Sequence, residues 1–190
     1  MKNNSTFQKY IAPIVVLVGI CLVVSAALAA TYGITTPIIE ARAKAEADAA
    51  RQVILPAADS FTAYTGDLWH SEDNKVKVTE AYIADNGSGA VITVETSSFG
   101  GALTEMVGID ASGAITGVQI SSHADTPGVG TNAMTDEHLG QYIGLSSLSS
   151  TDAKSDEAVD HVSGASVSSN AIHYGIYAAL QQFSKMGGVQ

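Results

Sequence analysis

"KVKVTEAYIADNGSGAVITVETSS", residues 75–98, decides the fold. "KVKVTEAYIAD" alternates apolar and polar residues, and so does "AVITVETSS". A period of two marks strands with one buried face. "NGSG" at 86–89 lies between them, and Asn-Gly accepts the positive φ that a tight hairpin turn needs. The next stretch repeats the arrangement, with "LTEMVGID" and "AITGVQISSH" flanking "ASG" at 111–113. Four strands in two hairpins therefore cover about residues 75–123, and antiparallel sheet is the economical inference.

Helices complete an α+β chain. Ile172, Ile176, Leu180 and Phe183 are spaced by 4, 4 and 3, one face of a C-terminal helix. Ser168 or Ser169 can cap its start, and Gly187-Gly188 can end it. A short helix over 136–144 is expected after a Thr135 cap.

On the N-terminal side, "YIAPIVVLVGICLVVSAALAATYGITTPII" runs from Tyr10 to Ile39 without a charge. Its apolar heart, Ile11 to Tyr32, is long enough to cross a hydrocarbon core of about 30 Å at about 1.5 Å per residue. Lys2 and Lys9 precede it, and all 19 acidic residues follow it. The positive-inside rule then puts the N-terminus in the cytoplasm and the remainder outside. The expected organisation is a cytoplasmic N-terminus over 1–9, a transmembrane helix over 10–34, a connecting helix over 35–56 and an extracytoplasmic domain over 57–190. Pro37 suits the first turn of the connecting helix, with Thr35 or Thr36 as its cap. The Val53-Ile54-Leu55 end of that helix is expected to pack on the domain. "ALA" at 27–29 resembles a signal-peptidase site, so cleavage is the rival reading. The length of the uncharged stretch favours a retained, single-pass anchor. Cys21 is the one cysteine, sits mid-span and suits a buried membrane position.

Composition narrows the function. Nineteen acidic residues against nine basic give a net charge of −10, which disfavours nucleic acid as a partner. The histidines at 70, 123, 138, 161 and 173 have no metal-like spacing, and no metal ligand set is assigned. His138 and His173 fall on expected helices and read as surface or packing residues. No Walker pattern, no GxGxxG after a strand, no HExxH and no GxSxG elbow occur, so no catalytic side chain is assigned.

Three glycine-bearing loops interrupt the scaffold: "SSFGGAL" at 97–103, "SSHADTPGVGTNAM" at 121–134 and "DHVSGASVSS" at 160–169. Singly they read as turn chemistry, with Gly100-Gly101 a strand bulge and Pro127-Gly128 a β-turn. The third gathers Ser163, Ser166, Ser168 and Ser169 before a helix. Hydroxyls beside a helix N-terminus, with its free N–H groups, make a phosphate site. A serine-rich helix cap accounts for the same residues equally well.

"DHVSGAS" resembles the flavinylation motif of the covalent FMN-binding domain family, Asp-x-x-Ser/Thr-Gly-Ala-Ser/Thr. The "GG" strand, "VGID" and the "TPGVG" loop are also similar to that family, and the likeness spans about residues 37–185. The N-terminal anchor matches the branch formed by the G subunit of Rnf ion-translocating oxidoreductases and the C subunit of Na+-translocating NADH:quinone reductases; the short chain favours Rnf. The resemblance implies FMN attached by a phosphoester to Ser166, with Asp160, Ser163, Gly164 and Ala165 as the rest of the motif. It further implies that Gly100, Gly101, Thr126, Pro127, Gly128 and Gly130 line the ring, and that Ser168 and Ser169 bond the phosphate or ribityl chain. The sequence departs from the branch in three places: serine stands for the usual threonine at 166, Asp125 for glutamate and Val129 for leucine.

The function so implied is a membrane-anchored electron carrier in a ferredoxin:NAD+ oxidoreductase coupled to Na+ or H+ movement. It acts with other membrane subunits and is matured by a flavin transferase. Two other classes stay open: a stand-alone extracytoplasmic flavoprotein or reductase component, and an anchored binding domain without cofactor.

Overall fold

The computed structural model describes residues 12–188, so the expected cytoplasmic segment 1–9 lies outside the described residues. The chain divides into two compact units, Met1–Ala47 and Asp48–Gln190. A single helix, α1 (Ala12–Ile54), has Pro37 in its interior. This corrects the expectation of a separate connecting helix beginning near residue 35. Thr35 and Thr36 do not cap a new helix. Their hydroxyls bond back to the Thr31 and Tyr32 carbonyls at 2.9 and 2.8 Å, the i−4 bonding that such residues make in a helix interior. Pro13–Ile39, 27 residues with a mean hydropathy of 2.7, is long and apolar enough to cross a membrane.

The second unit is built on a five-stranded antiparallel meander: β1 (Phe61–Ala63), β2 (Val76–Ala84), β3 (Gly89–Ser97), β4 (Ala102–Asp110) and β5 (Ile115–His123), in that spatial order. The four expected strands and both hairpins are present, with β2 and β3 registered so that Tyr82 faces Val91 and β4 and β5 so that Val107 faces Val118. The edge strand β1 was not foreseen, since three residues of "FTA" carry no periodic pattern. Gly100 and Gly101 are not a bulge within a strand. They form the β3–β4 turn, where Ser98 donates its N–H to the Gly101 carbonyl at 2.7 Å and Gly101 has φ +135°.

The central strand β3 is buried on both faces, which is why "GAVITVET" holds more apolar residues than alternation requires. On one face Ala90, Ile92 and Val94 pack under helix α3 (Ser166–Lys185). Ile172, Ile176, Leu180 and Phe183 are all buried there, each burial contributing about 1.5–3 kcal/mol. On the other face Val91 meets Ile54 and Leu55 at the end of α1. Thr116 donates its hydroxyl to the Ile54 carbonyl at 2.5 Å. The expected packing of the 53–55 end holds for Ile54 and Leu55, whereas Val53 is 72 % exposed. Arg51 anchors the same end: its guanidinium lies 3.5 Å over the Tyr82 ring and bonds Asp48 at 2.6 Å.

Between β5 and α3 run a 3-10 turn (Gly130–Met134) and a short helix α2 (Asp136–Gly140). Thr135 caps α2 as expected, accepting the His138 N–H at 3.3 Å. The helix stops at Gly140, four residues short of the expected end, and residues 141–144 are a turn closed by Gly144 at φ +88°.

Candidate functional site

The segment 160–169 bends at Gly164, whose φ of +85° lies in the region that favours glycine. Ala165 donates its N–H to the Val162 carbonyl at 3.1 Å, and Ser169 donates its own to the Ala165 carbonyl at 2.8 Å. Helix α3 therefore starts at Ser166, with Ala165 as the residue before it and no side chain capping the end. Neither Ser168 nor Ser169 is the cap; both lie in the first turn. The first-turn N–H groups are consequently left to solvent or a ligand.

Ser166 is half-buried and stands where two clefts meet. One, of about 310 Å³, is walled by Phe99, Val129, Gly130 and residues 164–168. Its walls are mostly apolar, and Phe99 is 74 % exposed. The other, of about 530 Å³, is the more polar of the two, with Lys75, Lys154, Thr96 and Tyr174 among its walls.

The structure brings the three loops together at this place. Asp125 is 4 % exposed and accepts the Ser98 hydroxyl at 2.5 Å and the Gly100 N–H at 2.6 Å. Burial pushes its carboxyl up, but the Ser98 and Ser168 hydroxyls, the Gly100 N–H and the nearby His123 outweigh that and leave it below its usual range. Gly130 is buried against it: a Cβ there would lie 2.7 Å from both Asp125 Cβ and Ser168 Oγ.

Of the expected site residues, Ser166, Gly164, Ala165, Ser168 and Gly130 border the apolar cleft. Gly100 and Gly101 flank it from the turn that carries Phe99. Thr126, Pro127 and Gly128 are exposed and stand outside the cleft walls. Asp160 and Ser163 are exposed on the approach to Ser166, with the Asp160 N–H donated to Gln141 Oε1 at 2.7 Å. Ser169 turns inward: its oxygen accepts the Val162 N–H at 3.3 Å and lies 3.3 Å from His138 Nε2. That takes Ser169 out of the set facing the cleft. Phe99 and Asp125 were not assigned from sequence. An aromatic between two serines and two glycines was the available signal for Phe99; the partners of Asp125 lie 25 and 27 residues away and left no local trace.

Beneath the helix start is a buried polar cluster. Tyr142 OH lies 3.2 Å from His173 Nδ1, and His173 Nε2 lies 3.0 Å from the Ser150 carbonyl. Burial pushes both His138 and His173 below the usual histidine range, so both rings are neutral packing groups.

Residues 98–181 match the family described as FMN-binding domain. Over 178 residues, 92% of this chain and 95% of the relative, the sequence is 30% identical to the G subunit of an ion-translocating oxidoreductase complex of Methanosarcina acetivorans. It is 27% identical over 172 residues, 88% of each chain, to the G subunit of the proton-translocating ferredoxin:NAD(+) oxidoreductase complex of Clostridium ljungdahlii. It is also 27% identical over 186 residues, 90% of each chain, to the G subunit of the Na(+)-translocating ferredoxin:NAD(+) oxidoreductase complex of Acetobacterium woodii. With coverage this complete, and an FMN-binding domain that includes the cleft at Ser166, the chain belongs to the G-subunit family of ion-translocating oxidoreductase complexes.

Proposed function

We propose that this chain is the electron-relaying flavoprotein subunit of an Rnf-type ferredoxin:NAD+ oxidoreductase, holding FMN as a phosphoester on Ser166. The observation that carries the reading is the position of Ser166. It sits at the uncapped start of α3, on the rim of a cleft with an apolar wall and a glycine floor. A flat apolar ring, a polyol chain and a phosphate fit such surroundings. Phe99 and Val129 offer apolar contact to the ring, Gly130 closes the wall between them and α3, and the first-turn N–H groups are free for the phosphate end. Bound flavin supplies reversible electron transfer, for which no side chain of the cleft has the chemistry.

The protein's own part is to hold and orient. A phosphoester at the helix start stays in place without tight noncovalent binding. The helix dipole favours its negative charge. The apolar walls keep water from one face of the ring. With no NAD fingerprint in the chain, the ends of the redox path belong to other membrane subunits, and attachment of the flavin belongs to a transferase that reads residues 160–166. The membrane span is Pro13–Ile39, with Lys2 and Lys9 on the cytoplasmic side and residues 48–190 outside the cell membrane. The relatives' names support coupling to H+ or Na+. In-gel flavin fluorescence after denaturation tests the tether: the parent and Ser166→Thr fluoresce, because each offers a hydroxyl at that position, and Ser166→Ala is dark. A fluorescent Ser166→Ala band sinks the assignment.

A further inference from the structure

We propose that Asp125 is the positioning residue of the flavin site, one carboxylate that sets both the Phe99-bearing turn and the Gly130 backbone against the start of α3. The proposal rests on the flavin reading of the cleft. Phe99 is 74 % exposed, so core packing does not hold its ring over the cleft. What places it is the β3–β4 turn, and the turn is gripped at Ser98 Oγ and Gly100 N by the two oxygens of Asp125, at 2.5 and 2.6 Å. Gly100 itself lies so close to the 124–125 backbone that a Cβ would come within 2.7 Å of Asp125 Cα. On the other side the Asp125 Cβ packs on Gly130, which in turn leaves no space before Ser168 Oγ. Three segments distant in sequence thus converge around Asp125, and each contributes a wall of the cleft.

An ordinary turn aspartate behaves differently, and the same sheet provides one. Asp110, in the β4–β5 turn, accepts the Ser112 N–H at 2.8 Å, the Ser112 hydroxyl at 2.6 Å and the Ala114 N–H at 3.0 Å. All of its partners lie within four residues, and it borders neither cleft at Ser166. Asp125 is the more buried of the two, its partners are remote, and its neighbours Ala124 and Thr126 are exposed. Burial of a carboxylate is costly unless its oxygens are hydrogen-bonded, and here both are held by the β3–β4 turn.

The test uses full-length protein, flavinylated in cells and extracted in detergent. Four variants join the parent: Asp125→Ala, Asp125→Asn, Ser98→Ala and Asp110→Ala. The readouts are flavin content after denaturation, the visible spectrum of the bound flavin, its quenching by neutral acrylamide, and the melting temperature. Asp125→Ala should at least double the quenching constant and shift the flavin bands, while flavin stays attached. Ser98→Ala, which removes one of the two bonds, should move both readouts less and in the same direction. Asp125→Asn keeps an oxygen for Gly100 N–H and an amide for Ser98 Oγ, and should restore the parent values. Asp110→Ala should lower the melting temperature and leave both flavin readouts unmoved. Parent-like quenching and spectra in Asp125→Ala and Ser98→Ala overturn the proposal. Should Asp125→Ala fail to fold, Ser98→Ala decides it by the same readouts. A parent without flavin overturns the reading of the cleft, and this assignment with it.

Discussion

Glu105→Gln should stabilise the domain, and by more as the pH rises. Glu105 sits in β4 with its side chain fully buried under α3, and neither carboxyl oxygen has a hydrogen-bond partner. Gly175 of α3 lies directly over it; any Cβ there would collide with Glu105 Oε1. Burial holds the carboxyl well above its ordinary value of 4.5, so it is neutral in the folded domain. The sign follows from linkage. A group whose folded pKa is raised contributes its full stability below the unfolded pKa and loses it as the pH climbs toward the folded one. Within that window the unfolded chain releases a proton that the folded chain keeps, at a cost of about 1.4 kcal/mol per pH unit. Wherever the pH lies between the two pKa values, the advantage of glutamine should therefore grow with pH at that slope. Any penalty for the buried amide is an offset independent of pH, so the slope carries the test. Urea unfolding of parent and variant in detergent, at four values between pH 5.5 and 7.5, measures it. A difference that stays flat with pH would mean that Glu105 is ionised in the folded domain, and the reasoning fails.

Two further outcomes are expected. A thiol placed by Ser88→Cys in the β2–β3 turn should react with a membrane-impermeant maleimide added to intact cells, whereas one placed by Asn4→Cys should react only after lysis; the reverse pattern would overturn the proposed topology. Val129→Ala, in the cleft wall, should shift the bound flavin's spectrum or midpoint potential, while Thr126→Ala, outside the wall, should leave both unchanged with flavin still attached; equal effects of the two would remove Val129 from the site.

The sheet was legible because alternation and turn residues agree over β2 to β5. The same parity also placed Glu105 among Leu103, Val107 and Ile109, so an inward-facing acid was readable from the strand pattern alone. The continuity of α1 was not: proline after two threonines suits a helix start as well as a helix interior, and the local residues do not distinguish the two. Serine, the better cap by propensity, puts the cap of α3 three or four residues late, yet Gly164 turns the chain earlier and Ser169 is engaged by Val162 and His138. The motif at 160–166 was legible as chemistry; the cleft beside it was not. Its walls come from segments far apart in sequence that Asp125 helps to join, a contact with no sequence period to announce it.

Intact mass of the membrane-extracted protein reports the flavin tether itself. The Ser166 Oγ–P bond replaces a serine O–H, so the parent should exceed its polypeptide mass by one FMN less one water. Peptide mapping should place that increment on Ser166, and Ser166→Ala should weigh only its polypeptide. A parent at bare polypeptide mass, or an increment that persists in Ser166→Ala, would contradict the account.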